Sequence, residues 1–284
     1  MPQLLLALPL CRSMRGLIPR RSRRVLALGR VLALGLGLLA PPTHAGLPEL
    51  VAAAKPAVVA VGTFDPLASP RFNFRGTGFV VTDGRTLVTN AHVLPEETVA
   101  LGQLVLLVGG KRVAAGPGAA PESAPETRPL KLLHLDRTHD LALLQFGGEP
   151  LPTMTLDGTD AIREGQAVAF IGFPIGGLLG FSPVTHRASV SSITPIALPT
   201  PTARQLDAAA VARLRQGSFD ILQLDGTAYP GNSGGPLFDL DNGQVVGVVN
   251  MVLVKASKES LLSNPSGITY AIPVRYVREL LGRR

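Results

Sequence analysis

The stretch Ala228–Asp239, "AYPGNSGGPLFD", places Ser233 between glycines, after a proline and before residues with strand character. Gly, Asn, Ser and Pro are the residues that tight turns prefer, so this stretch predicts a turn. Gly231 and Gly234 allow the backbone to bend until the amides of Gly231 and Ser233 point at one place. Ser233 is therefore a candidate nucleophile, and the Gly231 and Ser233 amides are candidate donors to an oxyanion.

A catalytic serine needs an imidazole base and a carboxylate that orients the imidazole. His92 lies in "LVTNAHVL" (Leu87–Leu94), at the end of an apolar strand, and Asp140 opens the apolar stretch "DLALLQF". Taken singly, each residue also fits a structural role, as a buried histidine or as a turn carboxylate. After Ala45 the other histidines are His134, His139 and His186.

The string Gly231–Gly235 also satisfies the G-x-S-x-G pattern of α/β-hydrolases, which place a helix directly after the serine and a histidine later in the chain. Here Pro236 and a strand pattern follow the serine, and the last histidine is His186. The surviving order of His92, Asp140 and Ser233 is that of the chymotrypsin-like fold.

Short apolar segments separated by turn signals predict an all-β barrel or sandwich. With 31 Gly, 25 Pro and only 5% aromatic residues, the composition fits many short strands. The predicted strands are 57–63, 76–82, 85–89, 104–109, 130–135, 140–146, 167–173, 219–224, 245–252 and 268–272.

Turns are expected at Asp83-Gly84, Gly109-Gly110 and Asp241-Asn242-Gly243, and a Pro/Ala-rich loop at residues 115–129. Helices are expected near Leu47, over about 202–216 as a surface insertion, and over 273–282.

The positive charge of the chain is concentrated at its start. Of the 27 Lys and Arg residues, seven are arginines within residues 1–45, where no acid occurs, which leaves 20 basic and 20 acidic residues beyond. The arginines precede an apolar run (Val25–Ala40) and small residues at cleavage spacing, so residues 1–45 are predicted to be an export signal. A secretory or twin-arginine signal implies an exported protein, in the bacterial periplasm, whereas a mitochondrial transit peptide or an uncleaved anchor remains an alternative. Since the remainder is neutral, we expect no nucleic-acid partner, and after cleavage no membrane span.

The only cysteine, Cys11, lies in this leader, so the mature chain is expected to hold neither a disulfide nor a thiolate metal site.

Six stretches together resemble the protease domain of HtrA/Deg-type serine endopeptidases. They are "GTGFVV" (Gly76–Val81), "LVTNAHVL", "DLALL" (Asp140–Leu144), "GNSGGPLFD" (Gly231–Asp239), "GQVVGVV" (Gly243–Val249) and "GITYAIPV" (Gly267–Val274). The resemblance implies a chymotrypsin-like double antiparallel β-barrel over residues 46–284, with barrels at about 57–150 and 165–272. It assigns His92 as general base, Asp140 as its partner, Ser233 as nucleophile and the Gly231 and Ser233 amides as oxyanion hole. It implies protein or peptide substrates, unfolded or damaged proteins among them, no cofactor, and assembly into a trimer.

The chain departs from the family pattern at several places. Tyr229 stands where the family has Asn, "VTHRASVSS" (Val184–Ser192) only partly matches a family strand, and no PDZ domain is expected after the protease domain. Thr227, six residues before the serine, offers no acid to pair with Lys or Arg. With Val249 and Asn250 on the wall strand, Thr227 and Tyr229 are predicted to form a modest apolar pocket for small aliphatic residues.

Two other functions fit parts of the sequence. An inactive protease-like fold would bind peptides or partners without hydrolysis. A metal-dependent hydrolase would use His134, Asp136 and His139 in "HLDRTHD", although no H-E-x-x-H motif or cysteine pair supports it and we expect no metal.

Overall fold

The computed structural model describes residues 46–96, 103–108, 126–176, 181–195, 219–250 and 267–283. These residues form two closed barrels of six antiparallel strands each, which confirms the predicted double barrel. The strands of the first barrel are β1 (Val58–Phe64), β2 (Phe72–Val81), β3 (Thr86–Asn90), β4 (Leu104–Val108), β5 (Glu126–Asp136) and β6 (Leu141–Phe146). Those of the second are β7 (Ala167–Gly172), β8 (Val184–Pro195), β9 (Asp220–Leu224), β10 (Pro236–Asp239), β11 (Val245–Asn250) and β12 (Thr269–Pro273).

The two barrels repeat one arrangement. The first closes in the order β1-β2-β3-β6-β5-β4, and the second in the order β10-β11-β12-β9-β8-β7. Strands such as β3 and β11 are buried along their whole length, since their Val, Leu and Thr side chains pack on both faces. Continuous apolar runs of this kind are why the periodicity of the sequence located most strands.

The structure differs from the predicted elements in two places. Strand β8 was not among the predicted strands because only Val190 is fully buried along it, so it lacks an alternating apolar pattern. Strand β5 begins at Glu126, within the expected loop at 115–129, and pairs with β4 through Pro129 and Val105. As the sequence predicts, a short strand, β10, continues directly from the turn that contains Ser233.

Among the described residues, two helices flank the barrels. Helix α1 (Leu47–Ala54) begins with Pro48 in its first turn, where a missing N–H costs nothing. Helix α2 (Val274–Gly282) follows β12 directly and buries Val277 and Leu280. The leader, the predicted helix at 202–216 and the Gly109-Gly110 turn lie outside the described residues. Within the described ranges, no helix is long and apolar enough to cross a bilayer.

Each barrel has its own core, and a third cluster joins them. The first barrel buries residues such as Leu87, Leu106 and Leu144, and the second buries Phe170, Leu222 and Leu237. The joining cluster takes Phe79 and Leu143 from the first barrel, Ile171 and Phe238 from the second, and Leu280 from α2. Burial of this apolar surface fixes the two barrels against each other, so that residues near their junction keep defined positions.

Candidate active site

Strand pairing brings His92 and Asp140 together. β3 and β6 are antiparallel neighbours in which Asn90 lies opposite Leu141. His92 follows β3 in a 3₁₀ turn (Ala91–Val93), and Asp140 immediately precedes β6. Asp140 has a left-handed backbone (φ 52°), a conformation that Asp tolerates better than most residues. Both side chains therefore lie at the same end of the first barrel.

Asp140 binds His92 at two points. Its Oδ2 lies 2.6 Å from His92 Nδ1, and its Oδ1 accepts a hydrogen bond of 2.8 Å from the His92 backbone N–H. A carboxylate only accepts, so Nδ1 is the protonated nitrogen and Nε2 is left to accept a proton. The side chains are 28% and 25% exposed, which leaves the imidazole within reach of another molecule.

The second barrel contributes to this pair through Asn250. Its Nδ2 donates to Asp140 Oδ2 over 2.7 Å, and the residue is only 1% exposed. The sequence suggested Asn250 and Val249 as walls of a substrate pocket. The Asn250 amide nitrogen bonds to Asp140, and the Val249 side chain is fully buried in the core of the second barrel, in the same cluster as Ala228. Their place on the pocket wall stays a prediction.

Ser233 lies in the tight turn that the sequence predicts, and it is 5% exposed. The turn is closed by hydrogen bonds from Asn232 N to Tyr229 O and from Gly235 N to Asn232 O, both 3.0 Å. Gly231 has a φ of 105°, and a Cβ there would overlap the carbonyl oxygen of Phe173. Only glycine therefore fits at this position.

The turn lies close to the chain that carries His92. A Cβ on Gly76 would stand 2.7 Å from Val93 Cγ2 and 3.1 Å from the carbonyl oxygen of Ser233. Val93 directly follows His92 in the chain. The Ser233 turn and the His92 turn therefore flank one glycine at the junction of the barrels.

A cleft of about 320 Å³ opens beside His92 and Asp140. Its lining includes Leu94, Leu132 and Leu135, together with charged residues. A cleft of this size can accept a side chain from an extended peptide, as ligand sites do.

The remaining predicted pocket residues lie before the Ser233 turn. Thr227 and Tyr229 are half-buried. The neighbouring carboxylate, Asp225, accepts a hydrogen bond of 2.5 Å from Ser189 N on β8, so it joins strands.

His186, for which the sequence predicts no partner, lies near Tyr229. Its ring stacks on Phe170 with centroids 4.7 Å apart, and the Tyr229 ring lies 6.3 Å away. Nε2 of His186 is buried without a hydrogen-bond partner among the described residues. Burial lowers the pKa of His186, because the uncharged imidazole is favoured there.

Asp136 and His139 form a second pair just before Asp140. His139 Nδ1 lies 2.9 Å from Asp136 Oδ2, and the His139 ring stacks on Tyr276 of α2 at 4.0 Å. Burial raises the pKa of Asp136, but hydrogen bonds from the His139 side chain and from the His139 and Thr138 amides outweigh it, so the net pKa is lowered. These contacts fasten the loop before Asp140 to α2. No cluster of three metal-ligating side chains occurs in the described part of the chain, and His134 lies on β5 opposite Leu143.

Comparison with known proteins agrees with this geometry. The model of the trypsin-like peptidase domain matches residues 76–248, a range that includes His92, Asp140 and Ser233. The chain belongs to the trypsin-like peptidase family. Within that family its relatives are of HtrA type, which confirms the resemblance seen in the motifs.

Two curated relatives illustrate the similarity of this trypsin-like peptidase. The mitochondrial serine protease HTRA2 of Drosophila willistoni is 30% identical over 73% of this chain and 38% of its own length. A probable periplasmic serine endoprotease of DegP-like type from Halomonas elongata is 28% identical over 70% of this chain and 32% of its own length. The chain thus spans about a third to two fifths of these relatives.

A solved structure also shares the fold. The HtrA-type protease AlgW with decapeptide superposes with a TM-score of 0.57 at 23% identity. The match covers 83% of this chain and 66% of that one. At this identity the likeness speaks for the double-barrel fold.

Proposed function

We propose that this chain is a serine endopeptidase in which Ser233 is the nucleophile, His92 the general base and Asp140 the residue that orients His92. The observation that carries the proposal is the two-point contact of Asp140 with His92, at 2.6 Å and 2.8 Å. This contact keeps the proton on Nδ1 and the lone pair on Nε2, which is the state a general base needs.

The reaction would proceed through an acyl-enzyme. His92 Nε2 takes the hydroxyl proton of Ser233 while Oγ attacks the peptide carbonyl carbon, and Asp140 stabilises the resulting imidazolium. The oxyanion binds the amides of Gly231 and Ser233. His92 then gives its proton to the leaving amine, and a water molecule, activated by the same base, hydrolyses the ester to regenerate Ser233.

Residues 46–284 are proposed as the protease domain, with barrels at about 57–150 and 165–272 followed by the helix at 273–282. Residues 1–45 are proposed to direct export from the cytoplasm, with mitochondrial import as the alternative. The names of the relatives, one periplasmic and one mitochondrial, support both destinations. N-terminal sequencing of the protein recovered from the periplasm tests the leader: a terminus just after Ala45 is the expected result, and an intact Met1 contradicts cleavage.

The proposed substrates are proteins, especially unfolded or damaged ones, cleaved after small aliphatic residues. Support comes from the half-buried Thr227, which brings no charge, and from the buried, small Ala228 beside it. Mass spectrometry of a casein digest gives the preference directly. Cleavage mainly after Val, Ala or Ile is expected, and cleavage confined to sites after Lys or Arg refutes the preference.

Labelling with a fluorophosphonate tests the proposed activity as a whole. The folded wild-type chain should be labelled and Ser233→Ala should not, because the probe bonds only to an activated serine. If the folded wild-type chain stays unlabelled and leaves casein intact, an inactive, peptide-binding fold replaces the endopeptidase.

A further inference from the structure

Thr77 belongs to strand β2 of the first barrel, yet its hydrogen bonds reach the Ser233 turn in the second. It is completely buried. Its hydroxyl donates to the Gly231 carbonyl over 2.6 Å and accepts from Phe173 N over 3.1 Å. Its backbone N–H donates to the Ser233 carbonyl over 2.9 Å. The hydroxyl thus uses its one proton and one lone pair on two backbone groups.

The contacts of Thr77 complete a regular pattern around the turn. Four successive carbonyl oxygens are bonded: Pro230 by Ile175 N (2.7 Å), Gly231 by Thr77 Oγ1 (2.6 Å), Asn232 by Gly235 N (3.0 Å) and Ser233 by Thr77 N (2.9 Å). Every peptide plane from Pro230 to Gly234 is therefore held through its oxygen. Two of the four are held by Thr77.

The peptides that Thr77 holds alternate along the chain with the peptides that carry the proposed oxyanion donors. The Gly231 N–H belongs to the peptide that begins at Pro230, and the Ser233 N–H to the peptide that begins at Asn232. The two peptides held by Thr77 lie directly after each of these. The Gly231–Asn232 peptide shares the Cα of Gly231 with one donor peptide and the Cα of Asn232 with the other, so a shift of this peptide alters φ or ψ at both junctions.

Gly231 is the residue of this turn that most needs such a restraint. With no Cβ and a φ of 105°, it can reach conformations closed to other residues. Preorganised donors are effective because they do not have to reorient when charge develops.

We propose that Thr77 is a positioning residue that holds the oxyanion hole in its working orientation from the opposite barrel. The proposal rests on the proposed peptidase function, and it concerns the direction of two backbone amides, without any contact of Thr77 with substrate.

The substitution Thr77→Val tests the hydroxyl, because valine keeps the shape and the backbone N–H while leaving Gly231 O and Phe173 N without their partner. Thr77→Ser keeps the hydroxyl and loses a methyl group. Thr86→Val is the matched control: Thr86 is equally buried, but it lies at the end of β3 away from His92, where its backbone N–H donates to Asp83 Oδ1 over 2.9 Å. Loss of an oxyanion donor lowers kcat by about 10²–10³, so partial misalignment in Thr77→Val should lower kcat about 10- to 100-fold.

Kinetics with a fluorogenic peptide should show this loss in kcat with KM within about threefold, which is the pattern of a lost transition-state interaction. Thr77→Ser should recover kcat to within about fivefold of the wild type. Thr86→Val should match the wild type equally closely, after thermal unfolding shows that each variant is folded. A folded Thr77→Val protein with wild-type kcat, or a Thr77→Ser protein as slow as Thr77→Val, overturns the proposal. If valine prevents folding, Thr77→Ala takes its place.

Crystal structures of the wild-type and Thr77→Val proteins separate this proposal from the peptidase function. The Gly231 carbonyl is expected to rotate in Thr77→Val and to stay in place in Thr77→Ser. If the carbonyl does not move in Thr77→Val, the positioning role is wrong even for an active enzyme. If a fluorophosphonate does not label the wild type but the Gly231 carbonyl moves in Thr77→Val, the peptidase function is wrong. The restraint of the Ser233 turn by Thr77 is then still supported.

Discussion

Asn250 and Asp140 lie 110 residues apart in the chain and in different barrels, and the Asn250 amide nitrogen donates to Asp140 Oδ2 over 2.7 Å. The same oxygen lies 2.6 Å from His92 Nδ1. Asp140 is therefore oriented from both sides of the junction between the barrels.

Replacing this donor by a second carboxylate should weaken catalysis. Asn250→Asp has the same shape, but it places two like charges together where Asn250 is 1% exposed, so one of them must take up a proton. We expect kcat/KM at pH 7 to fall by a factor of about 10 or more, whereas Asn250→Ser, whose hydroxyl can donate, should lose less. Peptide hydrolysis gives both values. Asn242→Asp, on the exposed turn between β10 and β11, adds the same charge away from the site and should have wild-type kcat/KM.

The loop before β6 offers a comparison between two aspartates. Asp140→Asn should lower kcat by about 10⁴, because the amide favours the wrong tautomer of His92. Asp136→Asn makes the same change four residues earlier in the chain, at a carboxylate that binds His139. It should keep kcat within about fivefold and cost about 1–3 kcal/mol of unfolding free energy, since charge-assisted bonds to a buried group are lost. Equal losses of kcat in two folded variants would contradict the assignment of Asp140.

Asp136 should also make the fold sensitive to acid. The pKa of Asp136 is lowered in the folded state, since the His139 and Thr138 hydrogen bonds outweigh its burial. The unfolded chain therefore binds its proton first as pH falls, so stability is present above about pH 4 and declines below it. Urea unfolding between pH 6 and pH 2.5 should give a shallower decline for Asp136→Asn than for the wild type. Parallel curves for the two proteins would show that this carboxylate does not contribute.

His186 should act in a higher pH range. Burial lowers its pKa in the folded state, so the unfolded chain takes up the proton first as pH falls through about 6.5. Stability is present above that pH and is lost as the pH falls toward the folded-state pKa. The unfolding free energy of the wild type should therefore drop between pH 8 and pH 5, and that of His186→Gln should drop less. The difference in slope is the measurement, because the substitution also removes the stack on Phe170; a His186→Gln slope equal to that of the wild type refutes the prediction.

The sequence predicted those parts of this structure that depend on neighbours in the chain. Apolar runs located β3 and β6, turn residues located the bend around Ser233, and the order of His92, Asp140 and Ser233 indicated the fold. The sequence did not predict β8, because its strand structure depends on pairing with β7 and β9 on either side, while its own side chains are mostly half-exposed.

The contacts that complete the site depend on residues far apart in the chain, so the local sequence does not predict them. Nothing in "GTGFVV" marks Thr77 as a partner of Gly231, and nothing in "VVGVVN" marks Asn250 as a partner of Asp140. Each is a buried polar side chain at the end or middle of an apolar strand, where it must find a hydrogen bond. That requirement predicts that such residues have a hydrogen-bond partner, but only the packing of the two barrels decides which group the partner is.

The ties that cross between the barrels have a consequence for how the chain is made. The first barrel contains His92, Asp140 and Thr77, all synthesised before residue 233 leaves the ribosome. At that stage Asp140 lacks Asn250, and Thr77 has no turn to hold. Under the proposed function, a half-made chain therefore lacks the nucleophile and the contacts that orient its partners, so the site is complete only after the last strands have formed.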